Sequence, residues 1–267
     1  MSDTTVATII DQRGVATVTI KRPEKHNAFD DVVIAKLRDA FDSLAARSDV
    51  RVVVLGSEGK SFSAGADLGW MQRMVEYDYG HNMKDAELLA AMLAALHDLP
   101  QPTIARIQGA AFGGAVGLVS CCDMAIASEQ ASFCLSEVKI GLIPATISPY
   151  VIKAIGERAC KRYFVTAERF SAAEAHRLGL VSEVVSPEQL DARIDALVAT
   201  LLNNGPVAVR EAKDLAISFA GKEISAALIA DSCARIAHSR VSEEGQEGLA
   251  AFFEKRSANW INNEHNG

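Results

Sequence analysis

Two glycine-rich turns and one glutamate are the residues of this chain best suited to chemistry. A β-type run at Thr103–Ile107 leads into the turn Gly109–Gly114, and an apolar run suited to a buried helix follows at Ala115–Cys122. Backbone N–H groups in the first turn of a helix lack an intrahelical partner and favour negative charge. The turn could therefore bind an anionic oxygen, or it could simply connect two buried elements.

A second glycine turn lies upstream of the first. Arg51–Leu55 reads as a strand, and the sequence FSAGAD follows at Phe62–Asp67. Two strand-to-helix turns built from small residues could aim two N–H groups at one carbonyl oxygen. That arrangement is an oxyanion hole, which stabilises negative charge that develops on the oxygen during a reaction.

Glu137 is the acid that such a site would need. It lies in SEVKIGLIP, an otherwise apolar segment. A carboxylate in a dry pocket has a raised pKa and can transfer protons near neutral pH. The alternative is a solvated or salt-bridged surface position.

Together these segments resemble the crotonase, or enoyl-CoA hydratase/isomerase, superfamily. FSAGADL resembles its first oxyanion segment, QGAAFGGAVGL its second, and CDMAIASEQASFCLSEVKIGLIP the segment that carries its second catalytic glutamate. The resemblance runs from Val15 to about Trp260. It implies an α/β fold, a crotonase-type spiral of ββα turns with a helical C-terminal region. We expect the spiral core over 1–200 and a trimerisation region over 201–267.

The resemblance also implies roles for single residues. Ala66 and Gly114 would supply the two oxyanion N–H groups, and Glu137 would be the catalytic carboxylate. An acyl-CoA substrate would be bound by residues of the RPEKHNA loop, the glycine turns and the last helix: Lys25, His26, Ala64, Gly65, Asp67, Leu68, Gly113, Gly117, Phe252 and Lys255.

The sequence departs from the family pattern at Gly117, where the general hydratase has its first glutamate. Three interpretations follow. Glu137 alone could shuttle the proton, another acid such as Glu157 or Asp123 could enter the pocket, or the enzyme could be an isomerase with a single base. Gly117 would also open space and remove a negative charge, which suits an acyl group with a second carboxylate.

The stretches AFGGAVGLVSCCDMAIA and FCLSEVKIGLIPATISPYV further resemble the bacterial methylglutaconyl-CoA hydratase branch, which serves leucine breakdown. The favoured hypothesis is therefore hydration of 3-methylglutaconyl-CoA. General enoyl-CoA hydration, isomerisation and non-catalytic acyl-CoA binding are the alternatives. The family implies a homotrimer or dimer of trimers, and no cofactor apart from the coenzyme A that the substrate carries.

Composition and motifs exclude other classes of protein. A net charge of −7 without a Lys/Arg run argues against a nucleic-acid partner. Five cysteines without a CxxC motif, a polar N-terminus and no membrane-length apolar run favour a cytoplasmic protein without a membrane partner. Serine-hydrolase, dinucleotide and P-loop motifs are missing, and the six histidines lack metal-ligand spacing.

The remaining pattern predicts the elements that must position these residues. It indicates an N-terminal hairpin, a first helix capped by Asp30 or Asp31, and a helix at Asp85–Asp98. The stretch 69–82 is polar-aromatic and weakly periodic, with aromatic residues that could line an acyl pocket or pack on a neighbour. Downstream, Gly156 splits a helix, and the C-terminal helices are predicted at 206–219, 223–236 and 243–256.

Overall fold

The computed structural model describes residues 5–261, and the elements below are those of this range. The strands are β1 (Val6–Ile10), β2 (Val15–Ile20), β3 (Val52–Ser57), β4 (Thr103–Ile107), β5 (Ala111–Phe112), β6 (Met124–Ser128), β7 (Ser132–Cys134), β8 (Phe170–Ser171) and β9 (Glu183–Val185). The helices are α1 (Asp31–Ala45), α2 (Leu68–Met74), α3 (Tyr79–His97), α4 (Gly114–Cys121), α5 (Ser148–Thr166), α6 (Ala172–Leu178), α7 (Leu190–Leu202), α8 (Pro206–Phe219), α9 (Ala226–Val241) and α10 (Glu243–Glu254).

The larger sheet has the strand order β1-β2-β3-β4-β6-β9. β1 pairs antiparallel with β2, and the other neighbours are parallel. Every residue of β3 is buried, as expected for a central strand covered on both faces. The carboxyl ends of the parallel strands share one edge, so the glycine turns that follow β3 and β4 meet there.

The strands of a smaller sheet, of order β5-β7-β8, are interspersed along the chain with those of the larger sheet and complete repeated ββα units. β4 is followed by β5 and α4, and β6 is followed by β7 and α5. The segment before α2 joins the same layer through a parallel bridge between Ser63 and Ala111. The two glycine turns therefore lie side by side in equivalent positions of successive units.

Several sequence predictions are confirmed. The N-terminal hairpin forms, with Val6 opposite Ile20. Asp30 caps α1 by accepting a hydrogen bond from the Val33 N–H. Gly156 has φ 79° and divides α5.

The predicted start of the helix at Asp85 is wrong. The weakly periodic stretch 69–82 contains most of α2, and α3 begins at Tyr79 rather than Asp85. Asp67 and Asp78 cap these two helices and satisfy first-turn N–H groups. The only buried residues of α3 are Met92, Leu93 and Leu96, so its first half carries no apolar period from which a helix could be predicted.

The C-terminal helices contribute little to the core of the single chain. α8 and α9 have no buried residue, and a cavity of about 740 Å³ lies between them. Large apolar side chains there, including Ile224 and Val241, are exposed. The last six residues of the predicted 201–267 region lie outside the described range. Across residues 5–261, every helix is too short or too polar to traverse a lipid bilayer.

Candidate active site

The first glycine turn is held by the backbone of Phe29. The Phe29 N–H donates to the Gly65 carbonyl (2.9 Å), and the Phe29 carbonyl accepts from the Asp67 N–H (3.0 Å). In such a parallel bridge the intervening residue, Ala66, directs its own N–H to the other side. No acceptor for that N–H occurs within the described part of the chain, so it is available to a ligand.

The second glycine turn presents a matching group. Gly113 precedes α4 with φ 54° and donates its own N–H to the Cys134 carbonyl (2.8 Å). Gly114 is the first residue of α4, so its N–H lacks an intrahelical acceptor. Two hydrogen bonds of Ser63, one to Ala110 and one from Phe112, hold the two turns together at 3.0 Å. The predicted pair of oxyanion donors is thus brought onto neighbouring segments.

The two turns approach too closely for side chains. A Cβ on Gly65 would lie 2.7 Å from the Phe112 carbonyl oxygen, and Gly65 has φ +88°. A Cβ on Gly114 would lie 2.6 Å from Cζ of Phe29. Glycine at both positions is therefore a steric requirement of the fold.

Glu137 lies directly beside this turn. It begins a short 3-10 helix, residues 137–140, that ends at the left-handed Gly141. Its Oε1 would lie 3.1 Å from a Cβ on Gly113, and its Oε2 is buried without a hydrogen-bond partner among residues 5–261. Burial raises the pKa of the Glu137 carboxyl, and its own backbone N–H opposes this only in part.

Ile140 and Leu142, apolar neighbours of Glu137 in the sequence, do not shield it. These side chains are 58% and 53% exposed. They form an apolar rim on the surface, because the turn at Gly141 directs this segment outwards. The surroundings that desolvate the carboxyl must come from the glycine turn and the core behind it.

Gly117 does not open space, contrary to the sequence prediction. It is buried at the end of the first turn of α4, and a Cβ there would lie 2.9 Å from Cβ of Ile147 and closer still to its Cγ2. Cδ2 of Leu93 would be 3.4 Å away. The position of the missing glutamate is thus filled by the side chain of Ile147, which is fully buried.

The two other acids considered as partners for Glu137 are engaged elsewhere. Glu157 is exposed on α5 and pairs with Lys161. Asp123 accepts hydrogen bonds from the Thr103 N–H (2.7 Å) and hydroxyl (3.0 Å) and pairs with Lys213 (2.7 Å). Thr103 begins β4, whereas the glycine turn follows its end, about 13 Å further along the strand. Neither acid joins Glu137.

Asp67 is satisfied within the protein. Its Oδ2 pairs with Lys25 Nζ (3.0 Å) and Arg22 Nη2 (3.3 Å), and its Oδ1 accepts from the Gly69 N–H (2.8 Å). Burial opposes its ionisation, but hydrogen bonds from Lys25, Trp70 and Gly69 outweigh burial and lower the pKa of Asp67. Its contact with coenzyme A stays a prediction, as does that of Lys25, whose side chain is half-exposed.

The loop around His26 is fastened to the first glycine turn by a residue that sequence reasoning missed. Asn27 is fully buried and donates to the carbonyls of Glu58 (2.7 Å) and Ser61 (2.8 Å). The His26 carbonyl accepts from the Ala64 N–H (2.9 Å), and the His26 Nδ1 lies 3.1 Å from the Ser61 hydroxyl. Only the RPEKHNA motif marked this asparagine, because burial of a polar side chain cannot be read from one sequence.

The other predicted contacts lie on the surface. Leu68 is 81% exposed at the start of α2. Phe252 is exposed on α10, and Lys255 ends that helix with φ 55°. Within residues 5–261, neither Phe252 nor Lys255 contacts Glu137 or Lys25, so their roles stay predictions. Of the aromatic residues in 69–82, Trp70 is buried and donates to Asp85 (3.0 Å), which favours core packing for it.

This arrangement of two glycine turns and a carboxylate has counterparts in known proteins. The family model described as enoyl-CoA hydratase/isomerase matches residues 11–263. The chain belongs to the enoyl-CoA hydratase/isomerase family. The predicted α/β fold of crotonase type is thereby confirmed, and an acyl-CoA thioester substrate fits this family.

Solved and curated members of the enoyl-CoA hydratase/isomerase family match along nearly their whole length. An enoyl-CoA hydratase structure from Shewanella pealeana is 45% identical, with a TM-score of 0.92 over 96% of each chain. One from Mycobacterium smegmatis is 34% identical, with a TM-score of 0.90 over 96% of this chain and 98% of the other. A crotonyl-CoA hydratase from Syntrophomonas wolfei is 30% identical over 92% of this chain and 94% of its own.

The raised pKa of Glu137 predicts a pH-dependent stability effect. The folded state holds its proton more tightly than the unfolded state, whose pKa is near the ordinary 4.5. Stability from this group is therefore lost as pH rises through the folded pKa. We expect Glu137→Gln to raise the melting temperature at about pH 8, and this advantage to vanish at about pH 4.

Thermal unfolding followed by circular dichroism at both pH values checks this prediction. Glu157→Gln is the matched control, because Glu157 is exposed and paired with Lys161. That control should show no gain at high pH. An equal effect of Glu137→Gln at both pH values would contradict the burial of an ionisable, unpaired carboxyl.

Proposed function

We propose that this protein is an enoyl-CoA hydratase that adds water to the α,β double bond of 3-methylglutaconyl-CoA. The observation that carries the proposal is the buried Glu137 oxygen without a partner, beside two glycine turns whose Ala66 and Gly114 N–H groups are unpaired among residues 5–261. A buried carboxylate oxygen without a partner needs a reason, and proton transfer to a substrate supplies one.

The proposed chemistry uses each of these groups. The water oxygen attacks the β carbon, and the electron pair of the double bond moves through the α carbon onto the thioester oxygen. The N–H groups of Ala66 and Gly114 stabilise that enolate oxygen, at about 3 kcal/mol each. Glu137 takes the proton from the attacking water and returns it to the α carbon as the thioester carbonyl re-forms.

A single carboxylate sets the stereochemistry of this reaction. Ile147 and Leu93 line the position at Gly117, so no acid stands there. The same carboxyl must serve both the water and the α carbon. We therefore expect the hydroxyl group and the proton to add to the same face of the double bond.

The distribution of charge supports a substrate with a second carboxylate. Replacement of an acid by Gly117 and Ile147 removes a negative charge that would repel such a group. Burial raises the pKa of the neighbouring Cys134 thiol, while Lys139 and Arg169 act in the opposite direction. The Arg169 guanidinium lies 4.7 Å from the centroid of the Phe112 ring, so positive charge lies close to the second glycine turn.

The single carboxylate also suits an isomerase, because one base can move a proton between two carbons. Conversion of a 3-enoyl-CoA to its 2-enoyl isomer without hydration would favour that reaction. Tight binding of acyl-CoA without turnover would favour a non-catalytic member. A reaction without any cofactor beyond substrate coenzyme A, and a cytoplasmic location, remain parts of this proposal.

Turnover of two substrates tests the proposal directly. We expect purified protein to hydrate 3-methylglutaconyl-CoA with a kcat/KM at least about tenfold above that for crotonyl-CoA, because the site favours a second negative group. Glu137→Gln should lower kcat by roughly a hundredfold or more, because the amide cannot accept the proton. Loss of absorbance by the enoyl thioester measures both.

The comparison has two outcomes that overturn the proposal. A preference for crotonyl-CoA would identify a general hydratase, and activity retained in Glu137→Gln would show that another residue is the base. Glu157→Gln serves as the control and should retain wild-type kcat.

Restoration of a second acid tests why Gly117 is a glycine. Gly117→Glu alone should fold poorly, because its side chain meets Ile147. In the double variant Gly117→Glu with Ile147→Gly, the acid has room, and we expect kcat/KM to fall for the dicarboxylic substrate more than for crotonyl-CoA. Ile147→Gly alone is the control for lost packing. An unchanged ratio of the two kcat/KM values in the double variant would refute the charge argument.

We further propose that residues 201–267 form a self-association region and that the assembly is a trimer or a dimer of trimers. α8 and α9 have no buried residue in the single chain, although they carry exposed apolar side chains such as Ile229 and Ile236. Exposed apolar side chains that lie together on a surface often mark a protein–protein interaction site.

Light scattering after size-exclusion chromatography checks the assembly. We expect a mass of three or six chains for the wild type. Ile236→Glu should shift the mass towards one chain, because it places a charge beside the cavity between α8 and α9. Val32→Glu on α1 is the control, since Val32 and Ile236 are both 50% exposed. A monomeric wild type would contradict this prediction.

A further inference from the structure

One residue outside the proposed catalytic set contacts both oxyanion segments, the first through its backbone and the second through its side chain. Phe29 immediately precedes the N-cap Asp30 of α1 and is 1% exposed. Its backbone pairs with Gly65 and Asp67, and its ring lies against Gly114. Among the residues described, Phe29 therefore contacts both of the segments that carry the two N–H donors.

The backbone of Phe29 sets the direction of the first donor. Its N–H and carbonyl both bond to the glycine turn, at 2.9 Å and 3.0 Å. These two bonds fix the peptide planes on either side of Ala66. A shift of Phe29 along the bridge would rotate the Ala66 N–H away from the position of the oxyanion.

The ring of Phe29 seats the second donor. Its Cζ and Cε2 lie 2.6 Å and 3.1 Å from the position that a Cβ on Gly114 would take. The ring thus rests on the Gly114 backbone at the start of α4. Without the ring, the first turn of α4 would border a cavity of nearly aromatic size, and the turn could move into it.

We propose that Phe29 is the positioning residue that sets the separation of the two oxyanion donors. It acts through Ala66 and Gly114 and does not touch the substrate. α1 places it, because Asp30 both caps that helix and pairs with the buried Arg22 at 3.2 Å. The inference rests on the proposed function, since it assumes that both donors bind one thioester oxygen.

The experiment measures polarisation of a bound thioester carbonyl. Dimethylaminocinnamoyl-CoA is a conjugated enoyl-CoA whose absorbance moves to longer wavelength when its carbonyl oxygen accepts hydrogen bonds. We expect a clear shift with wild-type protein and less than half of it with Phe29→Leu. In turnover, kcat should fall roughly ten- to a hundredfold with KM changed by less than about threefold, because donor alignment acts on the transition state.

Phe41→Leu is the matched control. Phe41 is an equally buried phenylalanine on α1 in the same core, and it has no contact with either glycine turn among those found in residues 5–261. It should lower the melting temperature by a similar amount and leave the absorbance shift unchanged. Loss of the shift in both variants would assign the effect to general loosening and overturn the inference.

A rescue variant separates positioning from packing. Gly114→Ala alone should lose the shift, because its methyl group meets the Phe29 ring. Phe29→Leu with Gly114→Ala should regain part of it, since the methyl group occupies space that the shorter side chain leaves. If Phe29→Leu fails to fold, Phe29→Met is measured against the same criteria.

The outcomes distinguish the inference from the proposed function. A folded Phe29→Leu or Phe29→Met protein with the full wild-type shift overturns the role of Phe29. The absence of any shift in wild-type protein that binds the thioester overturns the oxyanion hole itself. A reduced shift that the double variant partly restores supports both.

Discussion

The candidate active site depends on the close approach of backbone segments that no Cβ atom would permit. Gly65 lies against the Phe112 carbonyl, and Gly114 lies against the Phe29 ring. Hydrogen bonds between Ser63 and the second turn lock this contact. The donors are backbone groups, so their alignment is set by main-chain packing that is already in place before substrate binds. Preorganised dipoles of this kind need no rearrangement when charge develops on the substrate.

The fold pairs Asp67 and Asp123 with cations but leaves one oxygen of Glu137 without a partner among residues 5–261. Asp67 pairs with Arg22 and Lys25, and hydrogen bonding lowers its pKa. Asp123 pairs with Lys213 and accepts two hydrogen bonds from Thr103. Glu137 is treated in the opposite way, because burial raises its pKa and its Oε2 finds no partner among residues 5–261. A buried carboxylate oxygen without a partner destabilises the folded state, and such groups are often found at functional sites.

The glycine at position 117 affects packing as well as charge. Ile147 follows the Glu137 segment along the chain, and its side chain fills the space that a side chain at position 117 would need. The same contact ties the segment that carries Glu137 to α4. An acid introduced at position 117 would have to displace Ile147 and would thereby disturb the segment that carries Glu137. One substitution is therefore insufficient to place a second acid there.

Local pattern was sufficient for the hairpin, the Asp30 cap, the break at Gly156 and the three motifs that identify the family. These features depend on neighbours in sequence, on turn chemistry and on the order of motifs along the chain. Local pattern was insufficient for α2 and the start of α3. These helix starts are capped by the side chains of Asp67 and Asp78 and show no apolar period in the sequence.

Only the tertiary structure decided the surroundings of the named residues. Contacts between residues distant in sequence fill the space beside Gly117 with Ile147, pair Asp67 and Asp123 with cations, and place Phe29 between the two glycine turns. The exposure of Ile140 is likewise a property of the folded chain. The sequence by itself determined which groups could do chemistry, because side-chain type and motif spacing are local. Burial and distance decide which of these groups are free to react, and both are properties of the folded chain.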